Sequence, residues 1–246
     1  MNPVFVVAAA TARQRMRAPA TIIAAVVLFV LALTRGTAQG GTDIFSGLSG
    51  LWFQLITLLL GAGLISEEVE SGHAQLVLLR PLTRAQWVSG RFAGAAAVLC
   101  CAGTIAWVLA FVMAAVRGEP LHLMVRMAVL PLALVHALAW LAAFAAVGAV
   151  TPAWSNAAIV VAVYAAWKAA RYLLPLALPH RPELATALQA MDPYFGPQDS
   201  LPLAAQLETG ERLIVTPALW NLFGMAAAWW GSVELFKRRE LARRRA

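Results

Sequence analysis

The stretch 67-EEVESGHAQLVLLRPLTR-84 sets three carboxylates, a histidine and two arginines into a chain of 246 residues that is 61% hydrophobic and 13% charged. Soluble domains hold roughly 45–50% apolar residues. The chain therefore reads as an integral membrane protein, and the stretch as a polar excursion between two of its spans. A crossing helix needs about 20 mainly apolar residues. The runs 48–66 and 92–116 flank the excursion, with 18–34 before them and 127–150, 157–178 and 213–233 after. The expectation is an all-α membrane protein with six transmembrane helices, forming one transmembrane domain over residues 1–246. The fifth run carries Lys168 and Arg171 toward its end, where long basic side chains reach the headgroups.

Cytoplasmic loops collect Lys and Arg. With both termini inside, twelve basic residues fall on the inner side, among them Arg13, Arg15, Arg17, Arg80, Arg84, Arg91 and the basic tail 237–246, against Arg35, Arg117, Arg181 and Arg212 outside. The net charge of +7 thus follows topology, and nucleic acid is not expected as a partner. Trp87 and Trp154 fall near inner boundaries and Trp52 and Trp167 near outer ones, as aromatic belts require, whereas Trp107 and Trp140 are placed for packing. Cys100 and Cys101 are adjacent in an apolar run and read as small packing residues.

In residues 1–17 the apolar stretch precedes the arginines, the reverse of a secretory signal. Asn2 and Pro3 form a cap and first-turn proline, and the segment suits a helix lying in the interface, with Arg13, Arg15 and Arg17 as anchors. The plainer alternative is a frayed basic tail. Segment 179–212 carries five prolines, which prevents one continuous helix; "PELATALQAM" and "SLPLAAQLE" are each long enough for a short one.

The chain's two lysines, Lys168 and Lys237, exclude a phosphate-binding loop of the G-x-x-x-x-G-K-[ST] kind. Its four histidines, His73, His122, His136 and His180, show no metal-binding spacing. Enzyme chemistry and a bound metal are not expected. A lone His136 within a span fits a hydrogen bond to a neighbouring helix better than a proton relay.

Within the excursion, Val69, Gly72, Leu76 and Leu79 recur at three- and four-residue spacing. This predicts an amphipathic helix between Glu67 and Leu79, with Glu68 and Glu70 off its apolar face. Pro81 stops it. Thr83 and Gln86 match a capping box, so the third span opens at Arg84, with Trp87 and Arg91 in its first turns as interfacial anchors.

The same residues carry a family resemblance. Glu68, Glu70, Gly72, Leu76, Pro81, Arg84, Gly90 and Arg91 resemble the signature between the second and third spans of ABC-2 type permeases, the membrane subunits of ATP-driven exporters. Thr83 stands for a serine there, while His73 and Gln75 depart from the usual threonine and glutamate. The resemblance covers the whole chain in layout and about 25 positions in motif. It implies that 67–84 is a cytoplasmic coupling region docking on a separate ATPase subunit through Glu67, Glu68, Glu70, Gly72, His73, Leu76, Arg80, Pro81 and Arg84. It further implies two ATPase copies that bind ATP and Mg, a second permease copy as homodimer partner, no cofactor in this chain, and residence in the bacterial cytoplasmic membrane. An ion- or proton-coupled secondary transporter and a non-transporting scaffold or maturation factor are the alternatives. The first wants ionisable residues deep in the spans, in which the sequence is poor.

Overall fold

The structure, a computed structural model, describes residues 2–38, 45, 48, 52–72, 82–118, 123–152, 155–178, 180–191 and 216–243. Among these there are nine α-helices and no strand: α1 Pro3–Arg17, α2 Pro19–Ala38, α3 Phe53–Gly61, α4 Ser66–Glu70, α5 Arg84–Val116, α6 Leu123–Gly148, α7 Ser155–Ala177, α8 Pro182–Met191 and α9 Thr216–Arg243. Three helices, Arg84–Val116, Met127–Gly148 and Ser155–Ala177, are long and apolar enough to cross a membrane, and a fourth span results if the bent pair α1 and α2 counts as one. Within the second apolar run the longest described helix is the nine-residue α3, which a turn at 62–65 separates from α4.

Local sequence sets the helix ends. The Asn2 side chain accepts a hydrogen bond from the Val4 amide at 3.0 Å, and Pro3 follows at the first helical position, satisfying one orphan donor and needing none of its own. At the start of α5 both arms of the capping box form: Thr83 Oγ1 accepts from the Gln86 amide at 3.2 Å, and Gln86 Oε1 accepts from the Thr83 amide at 2.9 Å. Between α1 and α2, Ala18 takes an extended conformation and the chain turns by 64°. The N-terminal stretch is thus helical over Pro3–Arg17 and meets α2 at a sharp bend.

The predicted helix between Glu67 and Leu79 is not continuous. It ends at Glu70, and Gly72 has φ +77°, a left-handed conformation that closes a helix and suits glycine alone among ordinary residues. The remainder of that predicted helix, with His73 and Leu76, lies outside the described residues, as do Arg80, Pro81, "SLPLAAQLE" and the end of the basic tail.

Helix α1 lies across the opening turns of α5, and α9 lies along α6. Close backbone approach makes the first contact possible. A Cβ on Gly94 would sit 2.5 Å from the Ala8 carbonyl oxygen and 2.6 Å from Thr11 Cβ, and one on Gly90 would sit 2.6 Å from Val7 Cβ. Small residues four apart let helices meet where no hydrophobic force drives them together in lipid. The central core joins α3, α5 and α6 around buried Phe53, Ile56, Leu60, Leu99, Trp107 and Leu141, with Phe45 packed edge-on to Trp107 at 4.8 Å. Gly94→Ala should therefore lower stability by about 1–3 kcal/mol, because the obstructing atom is backbone. Thermal unfolding in detergent is the measurement, with Ala97→Ser on the exposed face of α5 as the control expected to leave the midpoint unchanged.

Candidate functional site: the turn between α3 and α4

The sequence "GAGLI", residues 61–65, interrupts the helical ladder inside the core. Ala62, Leu64 and Ile65 are at most 1% exposed, so water cannot supply the hydrogen bonds the turn gives up. Gly63 has φ +67°, the conformation the reversal requires. Two polar side chains from distant sequence satisfy the freed groups.

Asn156, at the start of α7 and fully buried, holds the first half. Its amide nitrogen donates to the Gly61 carbonyl at 3.0 Å and the Phe144 carbonyl at 3.1 Å, and its oxygen accepts from the Gly63 amide at 3.2 Å. One side chain therefore joins the α3 end, the turn and α6.

Arg91 holds the second half. Its Nε and Nη2 donate to the Leu64 carbonyl at 3.2 and 3.1 Å, Nη2 also pairs with Glu68 Oε1 at 3.0 Å, and Nη1 donates to Gln14 Oε1 at 2.8 Å and Thr11 Oγ1 at 3.4 Å. Gln14 completes the ring by donating to Glu68 Oε1 at 3.0 Å. With 6% exposure for the Arg91 side chain and 16% for Glu68, the pair is mostly screened from water, and its geometry meets the condition under which a buried pair repays its desolvation. Arg15 lies beside it, 8% exposed, with Nε and Nη2 unpaired among the described residues. It is desolvated by burial, with the charges of Glu67 and Glu68 acting in its favour.

These positions revise several expectations. Arg91, Arg15 and Trp87 were expected at the membrane surface. Both arginines are instead buried: Arg91 because the backbone break and Glu68 offer partners that a headgroup region would otherwise supply, and Arg15 beside it within reach of the charges of Glu67 and Glu68. Trp87 is 2% exposed and stacks on Phe236 at 5.0 Å, since α9 covers that turn of α5. Trp52, expected in a belt, is also buried and donates through Nε1 to the Ala25 carbonyl at 3.1 Å. His136 accepts from Trp140, one turn along its own helix, at 3.2 Å. Arg13 and Arg17 are exposed, Glu67 and Glu70 are exposed, and Arg84 is half-buried in the first turn of α5. Thr11, Gln14, the Leu64 carbonyl and Asn156 were not anticipated as a group; the signal for them was the glycine pair Gly61 and Gly63 inside an apolar run.

Among the described residues, helices long and apolar enough to cross a membrane, packed around a buried polar break, define a membrane-embedded protein rather than a soluble module. The family model described as "ABC-2 family transporter protein" matches residues 44–174, just over half the chain, and the chain belongs to that family as a multi-pass membrane protein. No curated protein matches it. The match spans the turn, α4, Arg91 and Asn156.

Two outcomes test the site. Arg91→Met should cost about 3–5 kcal/mol by leaving Glu68 and the Leu64 carbonyl unpaired. The Arg91→Met/Glu68→Met double variant should lose less than the two single losses combined, a coupling read from a double-mutant cycle of unfolding midpoints. Asn156→Asp should destabilise more than Asn156→Ala, because it sets a carboxylate against two carbonyl oxygens, whereas alanine leaves unmet bonds of about 1–3 kcal/mol each.

Proposed function

We propose that the protein is the permease subunit of an ABC-2 type exporter, coupling ATP hydrolysis on a separate ATPase subunit to outward movement of a substrate or to conformational work across the membrane. The observation that carries this reading is the Arg91–Glu68–Gln14 ring, which fixes α4 to both α1 and α5 while Glu67 and Glu70 face outward. A force applied to α4 is delivered through short charge-assisted bonds, not through a loose loop. Membership of the transporter family supports the same reading.

In this scheme the region 67–84 is the coupling region. Glu67 and Glu70 provide its charged contacts, the turn at Gly72 sets its direction, and His73, Leu76, Arg80, Pro81 and Arg84 extend the docking surface. Glu68 keeps the region attached to the bundle. Two ATPase copies carry ATP and Mg, and a second permease copy completes the transporter. The chain forms a single domain of six spans in the bacterial cytoplasmic membrane, with both termini inside and α1 along the inner surface. Closure of the ATPase pair tilts the bundles and alternates access.

The test is co-purification from the native host, with the bound ATPase identified by mass spectrometry. Glu70→Lys should reduce ATPase recovery by about tenfold or more, since like-charge contacts at an interface cost several kcal/mol, while the unfolding midpoint stays that of the wild type, because Glu70 is exposed and, unlike Glu67, does not act on the buried arginines. Full recovery and intact transport by that variant would sink the coupling role. Glu68 is unsuited to this test, because its loss also loosens the bundle.

A further inference from the structure

A groove of about 590 Å³ opens on the outside of the bundle between α2, α3 and α5. Its lining is apolar apart from Thr21 and Cys101. Trp52 and Ile56 form the floor, and the hydrogen bond from Trp52 to the Ala25 carbonyl fixes that floor to the α2 wall. Met16 of α1 stands at one end.

The dimensions match one leaflet. The α2 wall runs between Thr21 and Phe29 and the α5 wall between Val98 and Leu109, which at the helical rise is about 12 and 16 Å. Half of a bilayer's hydrocarbon core is about 15 Å. The groove thus runs from Met16 of α1 along α2 and α5 over a length that suits one acyl chain.

Charge decides the occupant. Arg13 lies three residues from Met16 and four from Arg17, so the two arginines share a face of α1 and Arg13 neighbours Met16 at the groove's end. Both arginines are exposed and neither has an ion-pair partner among the described residues. Met16 therefore joins a hydrocarbon slot to a pair of guanidinium groups. A helix from a second copy would fill the slot but leave the arginines without counter-charge. A phosphodiester bearing an acyl chain satisfies both.

We infer that this groove is a specific site for an anionic phospholipid, with one acyl chain between α2 and α5 and the phosphate on Arg13 and Arg17. The inference rests on the protein's residence in a bilayer and is independent of coupling to an ATPase. The bound lipid fixes the angle between α1 and α2, and hence the seat of Gln14 and Thr11 on Arg91.

The test is native mass spectrometry of the full chain released from nanodiscs of phosphatidylglycerol and phosphatidylcholine in equal amounts. Wild type should retain phosphatidylglycerol over phosphatidylcholine by on the order of tenfold, the scale expected for two arginines at an anionic surface. Arg13→Glu/Arg17→Glu should abolish that preference, and Arg13→Lys/Arg17→Lys should keep it. Ala102→Trp, which fills the groove from the α5 wall, should lower total retained lipid about fivefold or more. Should that variant fail to fold, the charge reversal at exposed positions decides alone. Equal retention of the two lipids by wild type, or an unchanged preference after charge reversal, overturns the site. Efficient disulfide formation between Cys101 residues of two copies in nanodiscs would also overturn it, by showing that a second copy covers the groove.

Discussion

A helix that breaks inside an apolar environment must find new partners for its backbone, and the turn at 62–65 makes this the governing constraint of the molecule. Each unmet amide or carbonyl in a dry interior costs several kcal/mol. Asn156 answers at one side of the turn and Arg91 at the other. Because these side chains belong to α7 and α5, satisfying a few backbone atoms also sets where those helices stand. The α6–α7 corner, the start of α5 and the exit direction of α4 are consequences of the same local deficit.

Arg91 then brings its charge into the interior, and the rest of the network balances it. Glu68 neutralises it, while Gln14 and Thr11 use its remaining donors. This explains why α1 turns Thr11 and Arg15 toward the bundle while leaving Phe5 69% exposed. Thr11 and Gln14 have hydrogen-bond partners inside the protein, and Arg15 is held there by the charges of Glu67 and Glu68. A segment that reads as a surface anchor is also a structural brace between α4 and α5. In a transport subunit such a brace is useful, since it makes α4 and the helices it joins move as one body.

Close contact and open space are divided between glycine-bearing and alanine-bearing faces of α5. Gly90 and Gly94 bring α1 within backbone contact, and Gly103 admits the Phe53 ring, whose nearest carbon would be 2.7 Å from an added Cβ. On another face Cys101, Ala102 and Ile105 border the groove shared with α2. The small residues of one helix thus serve helix packing on one side and lipid accommodation on the other, as expected where van der Waals fit replaces the hydrophobic effect.

The sequence by itself determined the helical class, the membrane residence, the caps at Asn2 and Thr83 and the acidic region after the second apolar run. These rest on composition, on 3.6-residue periodicity and on contacts within three residues of each other. Its spacing also promised a helix through Gly72, which fails because periodicity registers a glycine's place on a face but not its φ. Arg91 and Arg15 read as surface anchors because charge near a span's end is ordinarily solvated. Only the tertiary structure decided otherwise, since the partners that bury Arg91, the Leu64 carbonyl and Glu68, become neighbours only when the ladder breaks at Gly61, and the same acidic turn draws Arg15 in through charge. The pairing of Asn156 with that break, 93 residues from Gly63, is likewise a property of the packed bundle. A hydrogen-bond deficit has no sequence spacing of its own, and the side chain that fills it is chosen by which helix lies alongside.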